Sequence, residues 1–141
     1  MNLFVDTSVW SLALRRDRDS DAPEVERLRE ALGSQQPLFT TGLVLQELLQ
    51  GFTGPKAKAA IVERFAALPT IVPDREDHIA AAEIRNICRR RGVQVGTIDA
   101  VLIQLCIRYE LAMLSTDDDF RHAARHVPLK YWKPRARRGA T

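Results

Sequence analysis

Asp6, Glu47, Asp99 and the run Asp117, Asp118 and Asp119 are the residues whose types and surroundings could do chemistry. Asp6 closes the apolar run Asn2 to Val5, where an acid could simply cap the helix that starts at Thr7. Asp99 sits in the first turn of a helix, a place the helix dipole alone would favour. Its neighbours there are nonetheless apolar, and it shares a face with Ile103 and Ile107, so packing that face carries a carboxylate into a dry region where it needs a cation or several donors. Glu47, within LVLQELLQG, also reads as an exposed position on an amphipathic helix. Three consecutive acids usually mark a solvated loop, but these follow a strand and repel one another unless something neutralises them.

Oxygen-only acids gathered at one end of a sheet suit a hard cation, Mg2+ or Mn2+, held through one or two carboxylates with waters left for substrate phosphates. Zinc does not fit. The three histidines are His78, His122 and His126, and the i, i+4 pair among them lacks an HExxH pattern or a neighbouring cysteine. That pair reads as the exposed face of a short helix. No GxSxG elbow, GxxxxGK[ST] loop or GxGxxG turn is present. Metal-assisted hydrolysis is the chemistry that remains.

The elements that must position these acids alternate. Asn2 to Val5 predicts a strand and Thr7 to Leu14 a helix; Asp21 is placed to cap a helix with Pro23 at its start and Gly33 at its end. Leu38 to Thr40 predicts a strand, Thr41 a cap, and Pro55 to Leu68 the second helix of a hairpin that Pro69 stops. Thr70 to Val72 predicts another strand. Asp74 and Asp77 resemble a capping box for a helix from Arg75 to Arg91, and Gly92 terminates it. Thr97 is placed to cap a buried helix whose stripe is Ile98, Val101, Leu102, Leu105, Cys106 and Tyr109. Ala112 to Ser115 predicts a strand leading to the triple acid. Strands alternating with helices imply an α/β fold with a small, mainly parallel sheet flanked by helices. Ligands in such sheets gather at the carboxyl ends of strands, where Asp6 and Asp117 fall.

With 141 residues, 45% hydrophobic and 28% charged, the chain reads as one globular domain, 1–141, large enough to fold without disulfide or metal staples. Cys88 and Cys106 read as buried free thiols. No apolar stretch is long enough to span a membrane and the start does not read as a secretory signal, so a cytoplasmic location is expected. Residues 1–120 carry a formal charge of −4 and the basic segment 121–141 carries +7. Such a tail fits a polyanionic partner and fits equally a solubilising end.

Four strings now stand in order: FVDTSVW at 4–10, QELLQG at 46–51, GTIDAVL at 96–102 and MLSTDDDF at 113–120. Together they resemble the PIN-domain ribonucleases, and most closely the VapC-type toxins of toxin–antitoxin pairs. The resemblance implies that Asp6, Glu47, Asp99 and Asp117 are the four catalytic acids, with Asp119 an auxiliary acid and Ser8 and Thr97 hydroxyl positions. Asp118 has no fixed counterpart. It further implies Mg2+ or Mn2+ held mainly by Asp6 and Asp99, with Asp117 and Glu47 binding directly or through water, and hydrolysis of RNA phosphodiesters. A homodimer and a short VapB-like antitoxin, whose basic side chain can enter the acidic pocket, are the implied partners.

RNA would need flanking positive charge, which Arg89, Arg90 and Arg91 at one helix end, and Arg135, Arg137 and Arg138 in the tail, can supply. Tyr131 and Trp132 could stack on a base, or pack in the core or a terminal strand. Two other readings stay open: a PIN nuclease of RNA processing or repair, and a catalytically weak module that binds RNA or a partner. A phosphoacceptor receiver domain is disfavoured, because the run from Thr70 leads to Val72, Pro73 and Asp74 without an acceptor context.

Overall fold

A computed structural model describes residues 1–15 and 20–135, and among these lie five strands and seven helices. Strand β1 (Leu3–Val5) is buried at every residue, and helix α1 (Thr7–Leu14) starts after the single extended residue Asp6. Helix α2 (Pro23–Gly33) leads to β2 (Leu38–Thr41), then α3 (Gly42–Gly51) and α4 (Pro55–Ala66) precede β3 (Thr70–Ile71). Helices α5 (Arg75–Arg90) and α6 (Thr97–Arg108) pack on each other and return the chain to β4 (Ala112–Leu114); α7 (Asp118–Ala123) and β5 (Lys130–Tyr131) follow.

All strand pairs are parallel, in the order β3-β2-β1-β4-β5. From β1 the chain winds outward through β2 to β3, then crosses to β4 on the other side of β1. The winding therefore reverses between β1 and β4, and a crevice opens at their carboxyl ends. Register there pairs Val5 with Leu114, and the Asp6 N–H continues the ladder to the Leu114 carbonyl at 2.9 Å. Asp6 and Ser115 are thereby brought level.

Several boundaries differ from the sequence reading. Ala22, not Asp21, occupies the N-cap of α2, because its carbonyl is the one that accepts the first helical N–H groups, those of Val25 and Glu26. Gly96, not Thr97, is the N-cap of α6, with Thr97 its first helical residue. Thr41 does cap α3 in backbone geometry, but without a side-chain bond. Helix α4 stops at Ala66, since Ala67 and Leu68 turn back on the carbonyls of Arg64 and Phe65 before Pro69 is reached. Val72 lies outside β3 and is exposed.

Helix α6 is buried from Ala100 to Ile103 and at Leu105 and Cys106, but Ile98 and Tyr109 at its two ends face outward. Tyr109 there lies under the Arg108 guanidinium, 4.9 Å from the ring centre. Both cysteines are buried free thiols. Among the described residues no helix is long and apolar enough to cross a membrane.

The α5–α6 pair is fastened at a buried charge. Asp77, 1% exposed, closes a reciprocal capping box with Asp74 and receives Arg108 at 2.7 Å and Gln104 at 3.3 Å. Burial would push the Asp77 carboxyl up, but the Asp74 backbone contact, Gln104 and Arg108 outweigh it and hold it below its ordinary 3.8. A lowered folded-state value stabilises the fold above 3.8 and gives that stability up as pH falls through the lowered value. Asp77→Ala should cost about 3 kcal/mol at neutral pH through the lost cap and charged hydrogen bonds. Urea unfolding should show a lower midpoint with an unchanged slope, and the gap to wild type should narrow as the pH drops below 3.8.

Candidate active site

The crevice between β1 and β4 gathers its acids from four elements or their ends. Asp6 leaves β1, Glu47 projects from α3, Asp99 from the first turn of α6, and Asp117 and Asp119 from the start of α7. Asp6 is the most enclosed, at 7% exposure. Its Oδ2 accepts from the Ser8 hydroxyl at 2.8 Å and the Ser115 hydroxyl at 2.9 Å, which leaves Oδ1 without a donor among the described residues.

Ser115 is the residue that sequence reasoning missed. Fully buried, it donates to Asp6 and accepts from the Asp117 N–H at 2.9 Å, so one hydroxyl ties the first acid to the backbone of the fourth. Ser8 accepts from the Thr116 N–H at 3.1 Å and completes the clasp between the two strand ends. Tyr131 supports it from β5, donating its hydroxyl to the Ser115 carbonyl at 2.8 Å. Tyr131 thus belongs to a terminal strand with a structural hydrogen bond. The only sequence signal for Ser115 was a small hydroxyl between an apolar strand and an acidic run.

Electrostatics show that the acids sense one another. The Asp99 carboxyl is pushed up to about 6, first by desolvation and then by the charges of Asp6, Asp117, Glu47 and Asp119. Glu47 is raised by burial and by Asp6, with the Thr7 hydroxyl, donating at 3.3 Å, acting against them. Burial and the Asp6 charge together push the Cys106 thiol far up, so it is no nucleophile.

The triple acid divides its labour. Asp117 caps α7 by accepting from the Asp119 N–H at 2.9 Å, whereas Asp118 turns outward to Arg121 at 3.2 Å. Asp119 lines, with Asp99, a cleft of about 480 Å³ that Arg85 and Arg89 line as well. Thr97, the first residue of α6, lines a hollow with His78 and Asn86 of α5. Arg90 pairs with Glu83 at 3.5 Å, Arg91 is the C-cap of α5, and Arg135 lines a hollow with Trp132 and Glu26. Arg137 and Arg138 lie outside the described residues. His122 and His126 do not share a helical face, since α7 ends at Ala123.

Could this set hold a metal? The donors are all oxygens and their mutual repulsion demands a positive charge, which fits Mg2+ or Mn2+ and not a softer ion. Among the described residues no three acid, imidazole or thiol side chains converge tightly on one point. An ion held by one or two carboxylates and water is the arrangement that such spacing accommodates.

The PIN domain family model matches residues 3–126. In fold the chain is similar to the crystal structure of VapBC2 from Rickettsia felis bound to a fragment of promoter DNA, at 16% identity and a TM-score of 0.72, covering 94% of this chain and 98% of that one. It is also similar to FitAcB from Neisseria gonorrhoeae, with 19% identity, a TM-score of 0.68 and coverage of 94% and 97%. A third similar structure is the sarcin-ricin loop cleaving toxin VapC20 of Mycobacterium tuberculosis, at 20% identity and a TM-score of 0.65, covering 90% and 98%. By sequence comparison none of the curated proteins matches the chain.

A carboxyl whose folded-state value is raised favours folding while protonated and opposes it once ionised. Asp99 should therefore destabilise the metal-free protein progressively as the pH rises from 3.8 through about 6. Asp99→Asn, which cannot ionise, should melt a few degrees higher than wild type (~2–5 °C) in a chelating buffer at pH 7.5, a gain that disappears near pH 4. Thermal melts at the two pH values check it; a lower melting point at pH 7.5 would mean that Asp99 is held by donors and not strained by like charge.

Proposed function

The chain belongs to the PIN-domain family, and on that premise we propose that it is a divalent-metal-dependent endoribonuclease, the toxin of a type II toxin–antitoxin pair. The observation that carries this reading is the gathering of acids at the crevice between β1 and β4, where the Asp99 carboxyl is raised first by desolvation and then by the charges of Asp6, Asp117, Glu47 and Asp119. Structural acids seldom accumulate where each raises another's energy; a site awaiting a cation has reason to. The toxin role draws its support from the similar folds, which include VapBC complexes and a toxin that cleaves the sarcin-ricin loop.

Asp6 and Asp99 would hold Mg2+ or Mn2+, with Asp117 and Glu47 binding directly or through water and Asp119 in support. When bound, the metal supplies an activated water for in-line attack on an RNA phosphodiester and offsets the charge that develops on the leaving oxygen. Ser8 and Ser115 fix the Asp6 carboxylate by occupying Oδ2, which would leave the carboxylate already oriented to hold the ion. Glu47, raised by its surroundings, is the group suited to take the proton from the attacking water, and Thr7 orients it.

The basic clusters at the end of α5 and in the C-terminal segment supply sequence-independent affinity for the phosphate backbone. A homodimer and a short VapB-like antitoxin, which would cover the acids until released, complete the proposal, with the cytoplasm as its place of action. The whole chain, 1–141, acts as one PIN-like domain in this scheme.

Asp6→Asn and Asp99→Asn should each lower RNA cleavage at least ~100-fold with Mg2+ or Mn2+ while leaving the circular dichroism spectrum unchanged. Cleavage at wild-type rates by either variant would overturn the site assignment. Because Asp118 faces Arg121, Asp117→Asn should impair cleavage more than Asp118→Asn; the reverse order would move the fourth acid. Induced without a partner, the wild-type chain should arrest growth and Asp6→Asn should relieve the arrest, whereas a folded, abundant and harmless wild type would favour a role in RNA processing or repair.

A further inference from the structure

The contiguous run Arg89, Arg90 and Arg91 is not contiguous in space. Residues four apart share a face of an α-helix while adjacent ones turn away, so Arg85 and Arg89 stand together and Arg90 falls elsewhere, against Glu83. Arg85 and Arg89 line the cleft of about 480 Å³ that reaches Asp99 and Asp119, and Gln94, Val95 and Gly96 complete its wall. The Arg85 Nε–H donates to the Val95 carbonyl at 2.9 Å, which sets the guanidinium plane and leaves both terminal nitrogens without a protein acceptor among the described residues. Arg89 spends one terminal nitrogen on Asn86, at 3.3 Å.

From this geometry we infer that Arg85 and Arg89 form a phosphate subsite, which binds the phosphate next to the one cut in a single strand of RNA. The inference rests on the nuclease reading above and assigns a place for the substrate within it. The mixed lining carries the argument: acids alone would repel a polyanion, and guanidinium groups in the same cleft offer planar, charge-assisted hydrogen bonds to phosphate oxygens. Gln94 adds an amide that can donate to or accept from the edge of the same nucleotide. The Arg85–Val95 bond also ties the cationic wall to the loop just before α6, whose first turn bears Asp99.

The test measures binding of a fluorescent, random-sequence single-stranded RNA to the Asp6→Asn protein in metal-free buffer at several salt concentrations. Replacing Arg85 and Arg89 together by Gln should weaken binding at least ~10-fold at about 0.1 M salt and reduce the slope of log affinity against log salt by roughly one to two. Arg89→Gln alone leaves the Arg85–Val95 bond intact and should lose about threefold, which covers the case in which the double variant folds poorly. Arg75→Gln removes the same charge from the other end of α5, where Arg75 pairs with Glu76, and should change affinity less than about twofold. Equal loss in the Arg75 variant would reduce the effect to net charge and overturn the subsite. Unchanged affinity and slope in both Arg89 variants, while the wild type cuts RNA, would overturn the subsite and leave the nuclease reading standing. Arginine-dependent binding by a wild type that cuts no RNA would sink the nuclease reading and, with it, the placement beside a cut phosphate, leaving Arg85 and Arg89 as an RNA-binding pair alone. If the double variant kept its RNA affinity but lost polyglutamate binding, the wall would serve an acidic protein segment and the proposal would fail.

Discussion

The parallel register between β1 and β4 is the constraint from which the site follows. Pairing Val5 with Leu114 makes the two strands stop at the same level, and the Asp6 N–H bond to the Leu114 carbonyl carries that alignment one residue past the last pair. A one-residue slip would reverse which residues face each sheet surface and separate Asp6 from Ser115. Because the winding also reverses between these strands, no crossover helix covers their carboxyl ends, and the crevice stays accessible to α3, α6 and α7. Glu47, Asp99 and Asp117 reach the same place from three separate connections because each of those helices begins near that end of the sheet.

Function and folding pull against each other at this crevice. Desolvation and four like charges raise Asp99, so the fold carries an electrostatic cost that other contacts must offset. The Asp77–Arg108 fastening is one such contact, joining α5 to the C-terminal end of α6, the helix whose first turn bears Asp99. The Ser8, Ser115 and Tyr131 hydrogen bonds act locally, fixing the strand ends while leaving one oxygen of Asp6 uncommitted. Such a division, rigid support beneath a strained group, is what stability traded for activity looks like in a small fold.

The alternation of strand and helix was legible in the sequence because apolar runs here are short, separated by turn residues, and long enough in the helices to show a 3.6-residue period. The capping box at Asp74 and Asp77 was legible too, since it depends on residue types at a fixed spacing. The caps assigned to Asp21 and Thr97 failed for a related reason: those side chains are competent, but the backbone turns one residue away from each. Ser115 was invisible because a lone hydroxyl that donates to Asp6 across 109 residues of chain and accepts from the Asp117 N–H leaves no periodic trace. The arginines at 89, 90 and 91 read as a patch along the chain, and only the helix separates Arg89, which lines the cleft with Arg85, from Arg90, which is turned to Glu83.

The sheet also ends differently from the way it begins at its centre. Its two border strands, β3 and β5, are only two residues long, whereas the interior strands run to three or four. An unpaired border is a template on which a foreign strand can dock and start aggregation, and its hazard grows with length. Pro69 and Pro73 flank β3, and the exposed Lys130 stands on β5, so neither border offers a flat, uncharged ladder to a second chain. A molecule built on a fully parallel sheet, a topology that pairs its strands slowly, thus reaches its folded state with little open backbone to lose to self-association.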